Sequence, residues 1–240
     1  MGAFVWSDLS TYDLGRARRD YAQLFGWTYA RGWSYDLALL GSDQVAGLYP
    51  TPQNMRAIQM PSFWMSYFQV DQLEPYVEAA QAFEGAKIEV RPEAFSQNGR
   101  IALIRDPAGA GFTLYQGEAL DQARGKQGCI MQLYHHLADV AQIADFYESL
   151  FNWRLQPLGQ NPWPSFSLQT AEGFELARVE EAPEAIRGRY AYWMPCFGVQ
   201  DLAAFRAGLA QVNGDVTHAF DDGRLMVADC QQASFMVQPI

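Results

Sequence analysis

The chain has 240 residues, of which 49% are hydrophobic and 18% are charged. This composition supports a packed core and is not typical of a disordered chain. The formal net charge of −10 argues against nucleic-acid binding and against binding to anionic membrane surfaces. It is compatible with a cationic small molecule as ligand, and the 14% of aromatic residues suit either a core or an aromatic-lined cleft.

The three cysteines, Cys129, Cys196 and Cys230, show no CxxC spacing. An odd number of cysteines without metal-binding spacing predicts reduced thiols, which are typical of a cytoplasmic protein. Residues 1–10 show no signal-peptide pattern, and no stretch reaches the ~20 apolar residues needed to span a bilayer. We therefore expect a cytoplasmic protein without a membrane partner.

The first predicted module covers residues 1–58 and has the order strand, helix, three strands. Its first strand is predicted over 4–11, and the helix over 13–25 has Leu14, Ala17, Tyr21 and Leu24 at helical spacing. Three short strands follow: 27–31, 35–40 and 44–49.

The second predicted module covers residues 59–118 and has the same order. An aromatic strand over 63–70 precedes a helix over 71–83, for which Asp71 is the expected cap. The later elements are a strand over 86–91 that stops at Pro92, a turn at Asn98 and Gly99, and strands over 100–105 and 112–116.

An internal repeat then predicts a third module at 127–182 and a fourth at 188–240. Shifting the sequence by 126 residues superposes Asp13, Tyr21, Leu24, Phe25 and Trp27 on Asp139, Tyr147, Leu150, Phe151 and Trp153. The run FWMSYFQV at 63–70 likewise matches YWMPCFGV at 192–199. The chain is therefore predicted to form two domains, 1–118 and 127–240, joined by a charged, glycine-containing linker.

Four βαβββ modules in two pairs resemble the vicinal oxygen chelate superfamily, which includes glyoxalase I, bleomycin-resistance proteins and extradiol dioxygenases. The resemblance rests on the repeated helix signature and on the segment GRIALIRDPAGAGFTLYQ at 99–116. In the second half, Asp229-Cys230-Gln231-Gln232 departs from the DP-G turn of that segment. The resemblance implies an α+β fold with two glyoxalase-like open barrels, each with one cleft built within a single chain.

Family metal ligands lie on the first strand of a module, seven residues before the acidic helix cap, and on its last strand. Carried over to this sequence, the positions are Trp6, Gly47, Trp64 and Thr113 in the first cleft and Gln132, Glu175, Trp193 and Met236 in the second. None of the first four is a usual metal ligand, so the first cleft is predicted to be metal-free. The second cleft retains two oxygen donors, which form half of a glyoxalase-like set.

Neighbouring positions extend the candidate site. Asp8 shares a strand face with Trp6, Tyr115 shares one with Thr113, and His136 shares one with Gln132, while His135 is expected to face the opposite way. Trp6 and Trp64 are expected to face each other across the first cleft; the alternative is that they fill a core. The candidate ligand-binding set is Trp6, Asp8, Gly47, Trp64, Thr113, Tyr115, Gln132, His136, Glu175, Trp193 and Met236, with no metal and no cofactor.

The predicted function is binding of a small planar, neutral or cationic organic molecule in an aromatic cleft without a metal, as in the resistance-protein branch. Two alternatives stay open. One is a metal-dependent lyase, isomerase or dioxygenase that uses the second cleft. The other is a non-catalytic regulatory scaffold. The residues assign no catalytic group, and oligomerisation is possible.

Overall fold

The computed structural model describes residues 2–96 and 99–240 of the chain. The first module contains β1 (Ala3–Thr11), α1 (Leu14–Phe25), β2 (Thr28–Arg31), β3 (Asp36–Leu40), β4 (Asp43–Pro50) and the short helix α2 (Gln53–Ala57). Asp13 caps α1, because its carboxylate accepts a 2.8 Å hydrogen bond from the backbone N–H of Arg16. The helix therefore begins where the sequence pattern predicts it.

The second module differs from its prediction at two places. Its elements are β5 (Phe63–Gln69), α3 (Leu73–Gln81), β6 (Lys87–Ser96), β7 (Gly99–Arg105) and β8 (Gly111–Gly117). Gln72, and not Asp71, is the N-cap of α3; the Asp71 carboxylate accepts a hydrogen bond from the backbone N–H of Gln72. The turn predicted at Asn98 and Gly99 includes a residue that lies outside the described residues.

Strand β6 does not stop at Pro92, as the sequence pattern predicts, but continues through it. Proline lacks a backbone N–H and is tolerated at sheet edges and at bulges. Both conditions hold here, since β6 is the end strand of its sheet and its pairing with β7 shifts register between Val90 and Glu93. The prediction was wrong because the sequence alone did not show that this strand lies at an edge.

The third and fourth modules repeat the pattern. The third contains β9 (Ile130–His136), α4 (Ala144–Phe151), β10 (Arg154–Gln160), β11 (Pro164–Gln169), β12 (Glu175–Glu180) and α5 (Glu184–Arg187). A short 3-10 helix (Val140–Gln142) precedes α4. The fourth contains β13 (Tyr192–Val199), α6 (Leu202–Gln211), β14 (Asp215–Ala219), β15 (Leu225–Ala228) and β16 (Ser234–Pro239).

The strands form two eight-stranded sheets. Their orders are β2-β3-β4-β1-β5-β8-β7-β6 and β10-β11-β12-β9-β13-β16-β15-β14. Each sheet has two different end strands and is therefore open, and each joins two βαβββ modules. The predicted α+β fold of four paired modules is confirmed. Of the helices in the described ranges, none is both long and apolar enough to cross a bilayer.

The chain also divides into two compact units that do not coincide with its two sequence halves. Unit 1 comprises Met1–Trp6, Ser66–Leu120 and Gln132–Trp193; unit 2 comprises Ser7–Met65, Asp121–Met131 and Met194–Ile240. The strands of the two sheets lie within 3–117 and 130–239, which follows the predicted halves. Whether 1–118 and 127–240 behave as separate domains stays a prediction.

The repeated tryptophans after α1 and α4 lie in the core, as predicted. In unit 2 the ring of Trp27 stacks on Tyr21, with centroids 5.5 Å apart. In unit 1 the ring of Trp153 stacks on Tyr147, with centroids 5.6 Å apart. All four rings are at most 2% exposed, so the helix signature marks core packing beneath each helix.

The turns before the last strands of the second and fourth modules have the same hydrogen bonding despite their different sequences. The Asp106 carboxylate accepts a hydrogen bond from the backbone N–H of Ala110, and the Asp229 carboxylate accepts one from Ala233, both at 2.9 Å. Gly109 has φ +97° in the first turn, and Gln232 has φ +72° in the second. The fourth module thus keeps the turn by placing glutamine in the left-handed region that glycine normally occupies.

Candidate functional site

In unit 2 a tyrosine covers the predicted position Gly47. Asp8 of β1 and Gly47 of β4 are register partners, so they belong to the same face of the sheet. The hydroxyl group of Tyr35 lies where a side chain of residue 47 would start, and a methyl group there would overlap it. The same hydroxyl group donates a 3.4 Å hydrogen bond to the fully buried carboxylate of Asp8. A glycine is needed at position 47 because the Tyr35 ring approaches the backbone.

A second tyrosine extends this surface. The ring of Tyr49 lies nearly parallel to that of Tyr35, with an interplanar angle of 11° and centroids 6.4 Å apart. Burial, and next the negative charge of Asp8, raises the pKa of Tyr49. Tyr49 therefore stays a neutral phenol beside the Asp8 carboxylate. We call Asp8, Tyr35, Gly47 and Tyr49 the tyrosine site.

In unit 1 the predicted residues Thr113 and Tyr115 also lie on an aromatic surface. Thr113 pairs in register with Tyr67, and the ring of Phe95 lies 6.0 Å from Tyr67 and 6.4 Å from Tyr115. The hydroxyl group of Tyr115 donates to the backbone carbonyl of Glu118 at 3.0 Å. Burial raises the pKa of Tyr115, so this side chain also stays neutral.

The prediction that Trp64 forms a ligand-binding wall is wrong. The Trp64 ring contacts Tyr21 of α1 edge-on, with centroids 5.6 Å apart, and lies 6.5 Å from Trp27. Because the true cap of α3 is Gln72, counting seven residues back gives Met65 rather than Trp64. A slip of one residue along a strand turns a side chain to the other face, which explains the error.

The same slip affects Trp193. Asp201 caps α6, so the residue seven positions earlier is Met194. The indole N–H of Trp193 instead donates a 3.1 Å hydrogen bond to the hydroxyl group of Tyr147, and its ring lies 4.6 Å from that of His135. Trp193 is a core residue of unit 1.

Trp6 and Met236 keep the predicted strand positions. Trp6 is buried, and alternation along β1 assigns it to the face of Asp8. Met236 is fully buried and pairs in register with Cys196 and Met226. Neither side chain is a hard-metal ligand, because a thioether and an indole lack the oxygen or imidazole donors that such ions prefer.

The polar part of the predicted set lies on the third module, in unit 1. The side-chain amide of Gln132 donates to the Glu175 carboxylate at 2.6 Å, and the hydroxyl group of Ser167 donates to its other oxygen at 2.7 Å. The guanidinium group of Arg178 lies 3.5 Å from the same carboxylate. The structure therefore brings Gln132 and Glu175 together, as the resemblance implies.

The adjacent histidines have different partners. His136 Nε2 lies 3.0 Å from the Glu180 carboxylate, which also accepts a 3.0 Å hydrogen bond from the indole N–H of Trp163. His135 Nε2 lies 2.7 Å from the carboxylate of Asp106. Both histidines are fully buried in hydrogen-bonded pairs, so the geometry gives each a structural hydrogen bond and no shared metal.

The residues at the family metal positions do not fit a divalent ion. Within 2–96 and 99–240, no three His, Cys, Asp or Glu side chains are grouped so that they could hold a metal. Gln132 and Glu175 converge, but the Gln132 amide presents its nitrogen to Glu175. The other two positions of the second cleft, counted from the observed cap of α6, are Met194 and Met236. A hard cation needs several convergent oxygen or imidazole donors, which this set does not supply.

The sequence reasoning missed Tyr35, Tyr49 and Arg178. A signal for Tyr35 was present, because a glycine inside a strand indicates close approach of another group. Gly47 was instead interpreted as a lost ligand. Arg178 lies three residues after the predicted Glu175 on β12. Alternation along a strand alone would have assigned these two residues to opposite faces.

No family model matches the sequence. The chain is 28% identical to "Putative glyoxylase CFP32" of Mycobacterium tuberculosis, over 97% of this chain and 92% of that protein. It is 28% identical to the anthracycline biosynthesis protein DauV of Streptomyces sp. strain C5, over 90% of this chain and 83% of that protein. The anthracycline biosynthesis protein DnrV of Streptomyces peucetius is 27% identical over 61% of this chain and 59% of its own length.

Solved structures share the fold at low sequence identity. The Mn(II)-bound glyoxalase of Novosphingobium aromaticivorans matches 99% of this chain and 82% of its own, with a TM-score of 0.64 and 10% identity. The 2,2',3-trihydroxybiphenyl 1,2-dioxygenase of Sphingomonas wittichii strain RW1 matches 100% of this chain and 90% of its own, with a TM-score of 0.62 and 12% identity. These likenesses concern the fold.

Proposed function

We propose that the chain, which resembles the vicinal oxygen chelate superfamily in its fold and in its tandem modules, binds a small planar organic molecule without a metal at the tyrosine site. The observation that carries the proposal is the position of Tyr35. Its phenol lies on Gly47 and reaches Asp8, so an aromatic ring with a hydrogen-bond donor already fits this surface.

The geometry favours a ligand that donates to Asp8. A distance of 3.4 Å is at the long end for an O–H···O hydrogen bond, so the Tyr35 hydroxyl group is a weak partner. Because Asp8 is fully buried, a ligand reaches its carboxylate only by displacing the Tyr35 hydroxyl group, and a ligand N–H or ammonium group at normal distance would then form a stronger, charge-assisted bond. The rings of Tyr35 and Tyr49 supply flat apolar surface beside it. A planar, neutral or cationic molecule meets both conditions.

The sequence relatives support a planar ligand. Two of them are named for the biosynthesis of anthracyclines, which are planar polycyclic compounds. The resemblance to glyoxalases and dioxygenases supports the alternative of metal-dependent lyase, isomerase or dioxygenase chemistry, for which the 2.6 Å contact between Gln132 and Glu175 is the relevant observation. We favour the metal-free function because the other family positions lack donors.

The test is a thermal-shift screen of planar aromatic rings that carry a protonated aminomethyl group, with their uncharged isosteres, followed by calorimetric titration of the hits. Ligand that binds the folded state raises the melting temperature. Asp8→Asn should weaken the amine more than the isostere, and added salt should reduce that difference. Tyr49→Leu should weaken both by about 1–3 kcal/mol, the scale of a lost aromatic contact with its buried area.

Two further variants serve as controls. Tyr35→Phe keeps the ring but removes the competing hydroxyl group, so affinity should stay the same or increase. Trp64 lies in the core, so Trp64→Phe should lower the melting temperature without changing the affinity for the ligand. A hit that loses affinity in Trp64→Phe but not in Tyr49→Leu would refute the tyrosine site. Stoichiometric manganese, iron, nickel or zinc that is lost in Glu175→Gln would support the metal-dependent alternative.

A further inference from the structure

Arg178 adds a positive charge to the polar cluster of the third module. Its register partners on the neighbouring strands are Tyr134 of β9 and Ser167 of β11. Gln132 lies two residues before Tyr134 and therefore belongs to the same face of the sheet. Arg178, Ser167 and Gln132 thus share one face, which is also the face on which the Glu175 carboxylate is bound.

Glu175 is held by neutral donors and does not depend on Arg178. One carboxylate oxygen accepts from Gln132 and the other from Ser167, at 2.6 and 2.7 Å. The hydroxyl group of Ser167 accepts in turn a 3.0 Å hydrogen bond from the side-chain amide of Gln169. The 3.5 Å separation between Arg178 Nε and Glu175 is longer than a charge-assisted hydrogen bond, so this ion pair is loose.

The guanidinium group retains unused donors. Nε is its atom nearest to Glu175, and the terminal N–H groups form no hydrogen bond with any residue in the described ranges 2–96 and 99–240. The Arg178 side chain is 41% exposed, so a small molecule can reach it. The planar fork of an arginine matches the two oxygens of a carboxylate, which it binds through two parallel hydrogen bonds.

We propose that Arg178, flanked by the amides of Gln132 and Gln169, binds the carboxylate group of a small molecule on the second sheet. The site includes Gln132 and Glu175, which the family resemblance gives as half of a metal-ligand set. The guanidinium group of Arg178 supplies a positive charge beside them. Glu175 neutralises part of that charge and so keeps the affinity modest. This site is independent of the tyrosine site, which has the opposite charge and lies on the first sheet.

The experiment uses the full chain and sodium benzoate as the probe, with benzamide as its uncharged isostere. The side-chain signals of Arg178 Nε–H and of the Gln132 and Gln169 amides are followed by nitrogen–proton NMR during titration. Benzoate should shift them saturably, and benzamide should not. Arg178→Lys keeps the charge but loses the fork and should weaken binding about tenfold, which corresponds to one charge-assisted hydrogen bond.

Two other variants test the charge. Glu175→Gln removes the neutralising carboxylate and should strengthen benzoate binding, while Arg154→Gln, at an exposed arginine 3.9 Å from Glu148, should leave it unchanged. Failure of benzoate to bind wild type, equal binding in Arg178→Lys, or an equal loss in Arg154→Gln would overturn the proposal. If Arg178→Lys binds more weakly while Glu175→Gln binds more tightly, the site is established.

Discussion

The hydroxyl group of Tyr147 donates a 2.9 Å hydrogen bond to the fully buried carboxylate of Asp106. Burial, and next the charge of Asp106, raises the pKa of Tyr147 well above its usual value, so the proton stays on the phenol and Tyr147 remains the donor. The repeat provides a second pair, in which Tyr21 donates to Asp229 at 3.2 Å. In each pair, a tyrosine from the helix signature of one module donates a hydrogen bond to the aspartate in the turn before the last strand of another module.

The two pairs are not equivalent. The indole N–H of Trp193 donates a 3.1 Å hydrogen bond to the hydroxyl group of Tyr147, whereas within 2–96 and 99–240 the indole N–H of Trp64 makes no hydrogen bond of normal geometry and only approaches Tyr21. The Asp106 carboxylate also has His135 at 2.7 Å, whereas the repeat places Leu9 at the position of His135. The network around Asp106 is therefore the larger of the two.

We expect Tyr147→Phe to destabilise the protein more than Tyr21→Phe. The first change removes a donor from Asp106 and the acceptor of Trp193, while the second removes one donor from Asp229. Losing a buried hydrogen bond to a charged group costs about 1–3 kcal/mol, and an orphaned indole N–H adds to this. Urea unfolding of the two variants measures the difference. If Tyr147→Phe lowers the free energy of unfolding less than Tyr21→Phe does, the hydrogen bond from Trp193 to Tyr147 does not contribute to stability as expected.

Local patterns predicted most elements but not their partners. The spacing of Tyr21, Leu24 and Trp27 defines a buried helix face, because apolar side chains at helical spacing lie on one side. It carries no information on which surface covers that face. Asp229 lies 208 residues from Tyr21 in the sequence, and only the folded chain shows that they meet.

The errors at the candidate site also have physical causes. Trp64 was assigned to the wrong face by one residue, since the N-cap position of α3 is Gln72 and not Asp71. Gly47 was identified as a position without a ligand, but the group that replaces the ligand, Tyr35, comes from the neighbouring hairpin. The pairing of Gln132 with Glu175 was inferred from the resemblance, which supplies the long-range contacts that periodicity lacks.

Asp229 should make stability depend on pH. Burial raises its pKa above the ordinary value, although the backbone N–H groups of Ala233 and Gln231 and the hydroxyl group of Tyr21 act in the opposite direction. A carboxyl group with a raised folded-state pKa stabilises the protein most below its unfolded pKa of about 3.9 and loses this contribution as pH rises through the folded value. Asp229→Asn removes this titration.

The free energy of unfolding of wild type minus that of Asp229→Asn should therefore fall as pH increases from about 4 to 7. Urea unfolding at several pH values measures it. Asp215→Asn, at an exposed position on β14, serves as the control and should show a much smaller dependence. A difference between wild type and Asp229→Asn that is constant, or that grows with pH, would show that burial does not control this carboxyl group.

Neither half of the chain should fold stably by itself, although each contains a complete sheet. In a fragment of residues 1–120, the buried carboxylate of Asp106 lacks Tyr147 and His135. In a fragment of residues 121–240, Asp229 lacks Tyr21. Each fragment would also expose aromatic side chains that are buried in the whole chain, such as Phe112, which contacts Phe146. Exposed apolar surface and unpaired buried charge both oppose folding.

We expect each purified fragment to lack a cooperative thermal transition and near-ultraviolet circular dichroism, which reports fixed aromatic rings. Mixing the two should restore both signals and give a complex with one copy of each. Fragments of 1–120 and 121–240 carrying Tyr21→Phe and Tyr147→Phe should reassemble more weakly than the wild-type pair. A monomeric fragment that unfolds cooperatively would instead show that the halves are independent domains and that the two tyrosine–aspartate pairs only join domains that are already folded.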